Sequence, residues 1–201
     1  MKTGTYHVAY WPEELGLDSL TNFLAERYKH LQTPQQQKDG SQKFVIKQAP
    51  LTYEAVTYSL RKKQWPISLA HQWHGCERVY FKAQSVWQLV YDCRLLTFPE
   101  HIKTTEHKEA FTHDVVGFLN ERLSAVAPCD LRARGPHYFR SKNARLECIA
   151  TMEGTIKEFH GRARLFFSGP QQQVLVARET YSGGTINYVD TFTAILRRSN
   201  V

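Results

Sequence analysis

Residues 143–184 read NARLECIATMEGTIKEFHGRARLFFSGPQQQVLVARETYSGG, and the period of this stretch decides the architecture. Ala144, Leu146, Cys148, Ala150 and Met152 alternate with Arg145, Glu147, Ile149 and Thr151, the two-residue period of a strand with one buried face. Glu153-Gly154 supplies a turn signal. The next run places Phe159, Ala163, Leu165 and Phe167 on one face and Glu158, His160, Arg162 and Arg164 on the other. Ser168-Gly169-Pro170 interrupts it, and the chain returns through Val174 to Ala177 towards Tyr181. Short turns between consecutive strands join antiparallel neighbours, so the stretch predicts a three-stranded meander ended by Ser182-Gly183-Gly184. A closing helix over about 188–198 follows, with Asn187 as N-cap, Val189, Phe192, Ile195 and Leu196 on one face, and Arg197 and Arg198 at the end where the helix dipole favours cations.

Working outward from the meander, Phe111, Val115, Val116, Leu119, Leu123 and Val126 recur at three- and four-residue intervals. This predicts a long helix over about 106–126, capped by Thr104 or Thr105. Gly117 inside it costs about 1 kcal/mol relative to Ala, so close packing is the expected reason for it. Val79 to Lys82 and Val86 to Phe98 predict a strand pair. The second of these is a central strand, because Trp87, Leu89, Tyr91, Cys93 and Leu95 share a face. Towards the N-terminus, Tyr6 to Tyr10 alternates as a short strand, and Leu20, Phe23, Leu24 and Leu31 stripe a helix over about 18–31 capped by Asp18 or Ser19. Thr33 to Gln42 reads as a polar loop, and Phe44 to Ile46 as a short strand. Tyr53 to Lys63 fits either period and is read here as a helix after Pro50. The expected fold is therefore α+β: an antiparallel sheet with three helices packed on it, in one domain, with residues 1–70 as a possible extension.

The 201 residues are 42% hydrophobic, ordinary for a globular domain, and no run approaches a membrane span. The opening residues do not form a signal peptide, which points to the cytoplasm, or to an exported protein whose signal is missing from the sequence. Cys76, Cys93, Cys129 and Cys148 show no Cys-x-x-Cys spacing. Buried free thiols are expected, with a Cys76 to Cys129 bridge open to an exported protein. The formal charge of +7 favours anionic partners in general terms.

The order of these elements, with Gly161-Arg162-Ala163-Arg164 in the middle strand of the meander and Val174-Leu175-Val176-Ala177 in the last, resembles the Mog1/PsbP/DcrB-like α+β domains over about residues 79–201. That resemblance implies an accessory or binding role without enzymatic activity, exerted through contact with a protein partner. Fold alone does not fix function.

Three constellations carry candidate chemistry. His71, His74 and Cys76 form the one local cluster of metal-ligand types and support an alternative reading as a metal-binding protein or enzyme, against the plainer reading of a loop around Trp73. His101, His107 and His113 lie on or beside the long helix, with spacing that separates His107 from His113 in angle. Arg145, Arg162, Arg164 and Arg178 are expected on the outward face of the meander, with Glu147 and Glu158 as neighbours. Joined to Arg132, Arg134, Arg140 and Lys142 around Tyr138 and Phe139, they offer cations and stacking rings to nucleic acid or another polyanion. The alternative is a salt-bridged solvated face. Ser182-Gly183-Gly184 precedes the closing helix and offers an anion site at that helix N-terminus, against the plainer reading of a connection between strand and helix. No nucleophile elbow and no phosphate-binding glycine loop occurs, so no cofactor is expected.

Overall fold

The computed structural model describes residues 11–27, 35–60, 72–125, 135–169 and 172–186. Its elements, in chain order, are α1 (Leu17–Glu26), β1 (Gln35–Gln36), β2 (Gln42–Gln48), β3 (Leu51–Leu60), β4 (Gln72–Phe81), β5 (Gln84–Leu95), α2 (Thr105–Ser124), β6 (Tyr138–Arg140), β7 (Leu146–Thr155), β8 (Glu158–Ser168) and β9 (Gln173–Thr185). All nine strands join one open antiparallel sheet in the order β1-β2-β3-β4-β5-β9-β8-β7-β6. Among the described residues strand outweighs helix 52% to 21%, which corrects the α+β expectation to a sheet-dominated fold with two helices there.

Much of that correction comes from β3 and β4. The stretch read as a helix from Tyr53 is strand β3, because its alternate residues Leu51, Tyr53 and Ala55 are buried against the core while Pro50 closes the turn from β2. The His71–Cys76 segment, read as a loop, lies in β4 from Gln72 onward. Gln35 and Gln36, read as loop, pair with β2 as a two-residue edge strand. Asp39 accepts from Ser41 N–H at 2.9 Å and Ser41 Oγ at 2.7 Å in the intervening turn. These bonds hold its carboxyl below the usual carboxylate range.

Both turn readings at the ends of the meander shift. β7 runs through Glu153-Gly154 to Thr155, and β9 runs through Ser182-Gly183-Gly184 to Thr185. The glycines belong inside the strands because neighbouring backbone approaches too closely for a side chain. A Cβ at Gly183 would meet the Gln88 carbonyl, and one at Gly184 the Lys157 carbonyl. Neither glycine starts a helix, so the anion-site reading there falls. The expected strand at Tyr6 to Tyr10, the helix at 188–198, and the parts of 18–31 beyond Arg27 lie outside the described residues.

One face of the sheet carries both helices. On β5, Trp87, Leu89, Cys93 and Leu95 are all buried and alternate with more exposed residues. α1 lays Leu20, Phe23 and Leu24 over Tyr53, Val79, Trp87 and Leu89. α2 lays Phe111, Val115 and Phe118 over Leu95, Cys148, Leu165 and Ala177. Because Leu89 and Leu95 share a face, so do the helices; the opposite face is uncovered by any described element. α2 starts where its cap predicts: Thr104 Oγ1 accepts from His107 N–H at 3.2 Å. Gly117, however, is exposed, and a Cβ there would meet nothing within 4 Å. Close packing is not its reason.

Each helix also sends an arginine under itself to the sheet. Arg27, at the C-cap of α1, meets Glu77 of β4 at 3.3 Å, and Arg122, in the last turn of α2, meets Glu179 of β9 at 3.2 Å. All four side chains are at most 3% exposed. Between the pairs, Tyr91 and Tyr181 are direct cross-strand partners on β5 and β9. Each covers a glycine on the strand beyond, Gly75 and Gly161 respectively. Their hydroxyls reach one strand further, Tyr91 to Thr57 Oγ1 at 2.6 Å and Tyr181 to the Thr151 carbonyl at 3.2 Å.

Candidate functional site

The uncovered face displays the residues with the most pronounced unbalanced charge. Register alone fixes one row across it: Arg94 of β5 is paired with Arg178 of β9, Arg178 with Arg164 of β8, Arg164 with Ile149 of β7, and Ile149 with Tyr138 of β6. Three exposed arginines thus stand side by side on adjacent strands about 4.8 Å apart. Arg162 is exposed two residues from Arg164, so it projects from the same face. Arg94 has Asp92 within 3.7 Å; Arg162, Arg164 and Arg178 make no ion pair among the described residues. Like charges directly opposite each other in a sheet are destabilising, so the row works against stability unless something anionic meets it.

The basic residues expected together separate into two groups. Arg140, Arg162, Arg164 and Arg178 share the uncovered face, and Arg94 joins them, a residue sequence reasoning missed. Its exposed position on a central strand was visible in the alternation of β5, but the pairing of β5 with β9 was not. Lys142 and Arg145 lie instead on the hairpin between β6 and β7, turned towards α2. Arg132 and Arg134 lie outside the described residues. The expected acidic neighbours do not neutralise the row: Glu147 accepts from Gln173 at 3.3 Å, and Glu158 sits at the far end of β8 opposite Gly184. The two rings also part company. Tyr138 is 50% exposed at the end of the row, whereas Phe139 faces inward, its ring 5.3 Å from that of Phe118.

On the helix side, α2 and the β6–β7 hairpin enclose a groove of about 700 Å³. Its floor is apolar, with Phe111, Phe118, Leu146 and Phe167. Asp114 and Glu121 stand on the α2 bank and Lys142 and Arg145 on the hairpin bank. His101, His107 and His113, which helical spacing alone keeps apart, all reach its rim; His101 lies against Phe167 with ring centres 5.5 Å apart.

The metal-type cluster opens out. His71 lies outside the described residues, and His74 and Cys76 are two residues apart on β4, with His74 stacked on Tyr58 at 5.2 Å. No group of three or more His, Cys, Asp or Glu side chains suited to a metal occurs among the described residues. Cys76, Cys93 and Cys148 form no disulfide with one another; Cys129 lies outside the described residues. Burial pushes the Cys148 thiol up to about 11, partly offset by Arg122, and burial also raises that of Cys76, so both stay protonated and unreactive near neutral pH. A Ser182, His160, Glu153 row crosses β9, β8 and β7, with His160 Nε2 at 3.3 Å from Glu153 Oε2. The imidazole is 69% and the carboxylate 80% exposed, so water screens the pair and the row does not make an activated nucleophile.

Residues 69–186, more than half of the chain, match a family model described as a domain of unknown function, DUF5680. The chain belongs to the DUF5680 family. The DUF5680 match begins just before β4 and ends just after β9, so it holds the arginine row and the whole α2 groove and leaves out α1 and β1 to β3. No curated protein matches the chain, and no solved structure does. No helix among the described residues is long and apolar enough to cross a membrane.

Proposed function

We propose that this protein is a non-enzymatic binding domain that holds a polyanion, single-stranded nucleic acid in the first instance, on the uncovered face of its sheet. The observation that carries the reading is the register-fixed row Arg94, Arg178, Arg164, whose last two members have no carboxylate partner among the described residues. Tyr138 at the end of that row offers an exposed ring for a base, and stacking is tolerant of sequence. Phosphates spaced along a strand suit cations spaced along a sheet row, and release of condensed counterions supplies the affinity.

The test is the binding of the full chain to a labelled single-stranded oligonucleotide across a salt series. Three neutralised phosphates give a slope of log affinity against log salt of about −2. Replacing Arg94, Arg164 and Arg178 together by Ala should flatten the slope and abolish binding at about 50 mM salt. Wild-type protein that does not bind at that salt, or a triple variant that binds as well as wild type, overturns the reading. A role in protein contact, which the Mog1/PsbP/DcrB-like resemblance implies, draws support from Tyr58 and Val90, 39% and 42% exposed on the same face. An acidic protein partner there would show the same arginine dependence without the oligonucleotide binding.

A further inference from the structure

Gly117 is the residue the fold leaves unexplained. Glycine in a helix interior is unfavourable through chain entropy, and elsewhere in this protein glycines stand where a Cβ would strike a neighbour, as at Gly75 and Gly161. At Gly117 a Cβ would meet nothing within 4 Å. What the missing side chain does is widen the groove between α2 and the β6–β7 hairpin, which Gly117 lines together with Ala110, whose side chain is a single methyl group.

The banks of that groove carry opposite charges that do not reach each other. Asp114 and Glu121 on α2, and Lys142 and Arg145 on the hairpin, form no ion pair among the described residues. All four are exposed at the rim, and the aromatic side chains of Phe111, Phe118 and Phe167 form the apolar bottom between them. A volume of about 700 Å³ is within the range of small-molecule sites, and an apolar pocket with a few convergent polar groups is their usual make-up. We infer that this groove binds a zwitterionic ligand of the amino-acid or short-peptide class with an aromatic or large apolar side chain. The ammonium group is taken by Asp114 and Glu121, the carboxylate by Lys142 and Arg145, and the apolar body by the phenylalanine floor. Arginine and carboxylate match in a planar two-point contact, which gives the ligand one orientation across the groove. The lining charges sum to zero with the histidines neutral, so a ligand of single sign meets as much repulsion as attraction. The site is on the opposite side of the sheet from the arginine row and stands or falls without it.

The experiment uses the full chain and the dipeptide Phe-Phe as probe, read by isothermal titration and by the rise in melting temperature that a ligand specific for the folded state produces. N-acetylated Phe-Phe, Phe-Phe amide and sodium benzoate remove one charge or the other. Wild type is expected to bind Phe-Phe and to bind each single-charge probe about tenfold or more weakly, the loss of one charge-assisted contact. Gly117→Leu places a side chain in the groove at a position open enough to take it and favours the helix, so the variant should melt no lower than wild type yet lose Phe-Phe. Lys142→Ala with Arg145→Ala should weaken Phe-Phe about tenfold or more and leave the ammonium-only probe bound at least as tightly as by wild type, because its repulsion by those two cations is gone. Binding of Phe-Phe that survives Gly117→Leu overturns the inference. So does wild type that ignores Phe-Phe at about 10 mM, or that binds all four probes alike. Oligonucleotide binding should be the same in wild type and Gly117→Leu, which keeps this result distinguishable from that for the arginine row.

Discussion

The two helix-bearing regions of the sheet use one device and finish it differently. Under α1, the Arg27 guanidinium is saturated: it donates to Glu77, donates to the Leu24 carbonyl, and lies 5.9 Å from the Tyr53 ring centre and 5.4 Å from that of Trp87. Under α2, Arg122 donates through Nη1 to Glu179, while Nε and Nη2 have no hydrogen-bond partner among the described residues. A buried guanidinium surrounded by acceptors and rings is a structural fastener. One with two of its three nitrogens unpartnered is a poorer fastener, because desolvation of those N–H groups is not repaid. The region whose arginine is saturated has its helix flat on the core, and the region whose arginine is not saturated carries the open groove.

Removing the arginines should measure that difference and gives the largest expected effect. Arg27→Met leaves Glu77 buried without its cation and should cost about 3–5 kcal/mol. Arg122→Met strands Glu179 in the same way but also removes two unpartnered donors, so it should cost about 1–3 kcal/mol less than Arg27→Met. Urea unfolding of both variants decides it, and equal losses would show that saturation of the guanidinium does not matter. Replacing Glu77 as well, in an Arg27→Met, Glu77→Leu double variant, should recover most of the loss, since an apolar pair of similar volume often serves as well as a buried ion pair.

The contrast between the two regions was hidden from the sequence for a physical reason. Local alternation carries face, so the inward set Trp87, Leu89, Cys93 and Leu95 and the meander set Phe159, Ala163, Leu165 and Phe167 could be assigned from period alone. The pairing of β5 with β9 could not, because some 80 residues separate the two strands and nothing local encodes which strands meet. Arg94 was therefore missed, and nothing local in the sequence ties Glu77 or Glu179 to the helix-end arginines Arg27 and Arg122. Tyr53 to Lys63 reads as helix because Val56 and Leu60 satisfy both periods, and burial of Tyr53 and Ala55 in the core with α1 assigns the part up to Leu60 to strand β3. The groove rests on α2 docking beside the Ser141 to Leu146 hairpin, again a contact that sequence spacing does not show.

The tyrosine-over-glycine pairs sharpen the comparison at an intermediate level. A Cβ at Gly75 would come within 2.5 Å of the far end of the Tyr91 ring, which can swing away if it gives up its bond to Thr57. A Cβ at Gly161 would strike the Tyr181 ring and also lie 2.6 Å from the Thr151 carbonyl oxygen, which is backbone inside β7 and cannot retreat. Overpacking of this kind costs about 1–3 kcal/mol. Gly75→Ala is expected at the lower end and Gly161→Ala at or above the upper end, compared by thermal and urea unfolding. If Gly75→Ala proves the more damaging, the Tyr91 ring does not swing clear of the added methyl group, and the distinction between a yielding side chain and a fixed carbonyl fails.

The smallest expected effect has the opposite sign. Gly117→Ala adds a methyl group at an exposed position of α2 where nothing lies within 4 Å, so there is no clash to set against the gain in helix propensity. Glycine in a helix interior costs about 0.5–1 kcal/mol relative to alanine, chiefly through the entropy of the unfolded chain. The variant should therefore be more stable than wild type by about that amount, with the urea slope unchanged because the surface exposed on unfolding barely alters. A matched control on the other helix is Ala25→Gly: Ala25 is 4% exposed in α1, and the substitution there should cost at least the same propensity term plus the loss of a packed methyl group. Propensity alone gives the two changes opposite signs, so the difference between the helices is read from magnitude: the loss at Ala25 should exceed the gain at Gly117 by the packed methyl group. If Gly117→Ala lowers stability instead, a neighbour must be closer to Gly117 than the structure places it, and the groove beside α2 would be narrower than 700 Å³ implies.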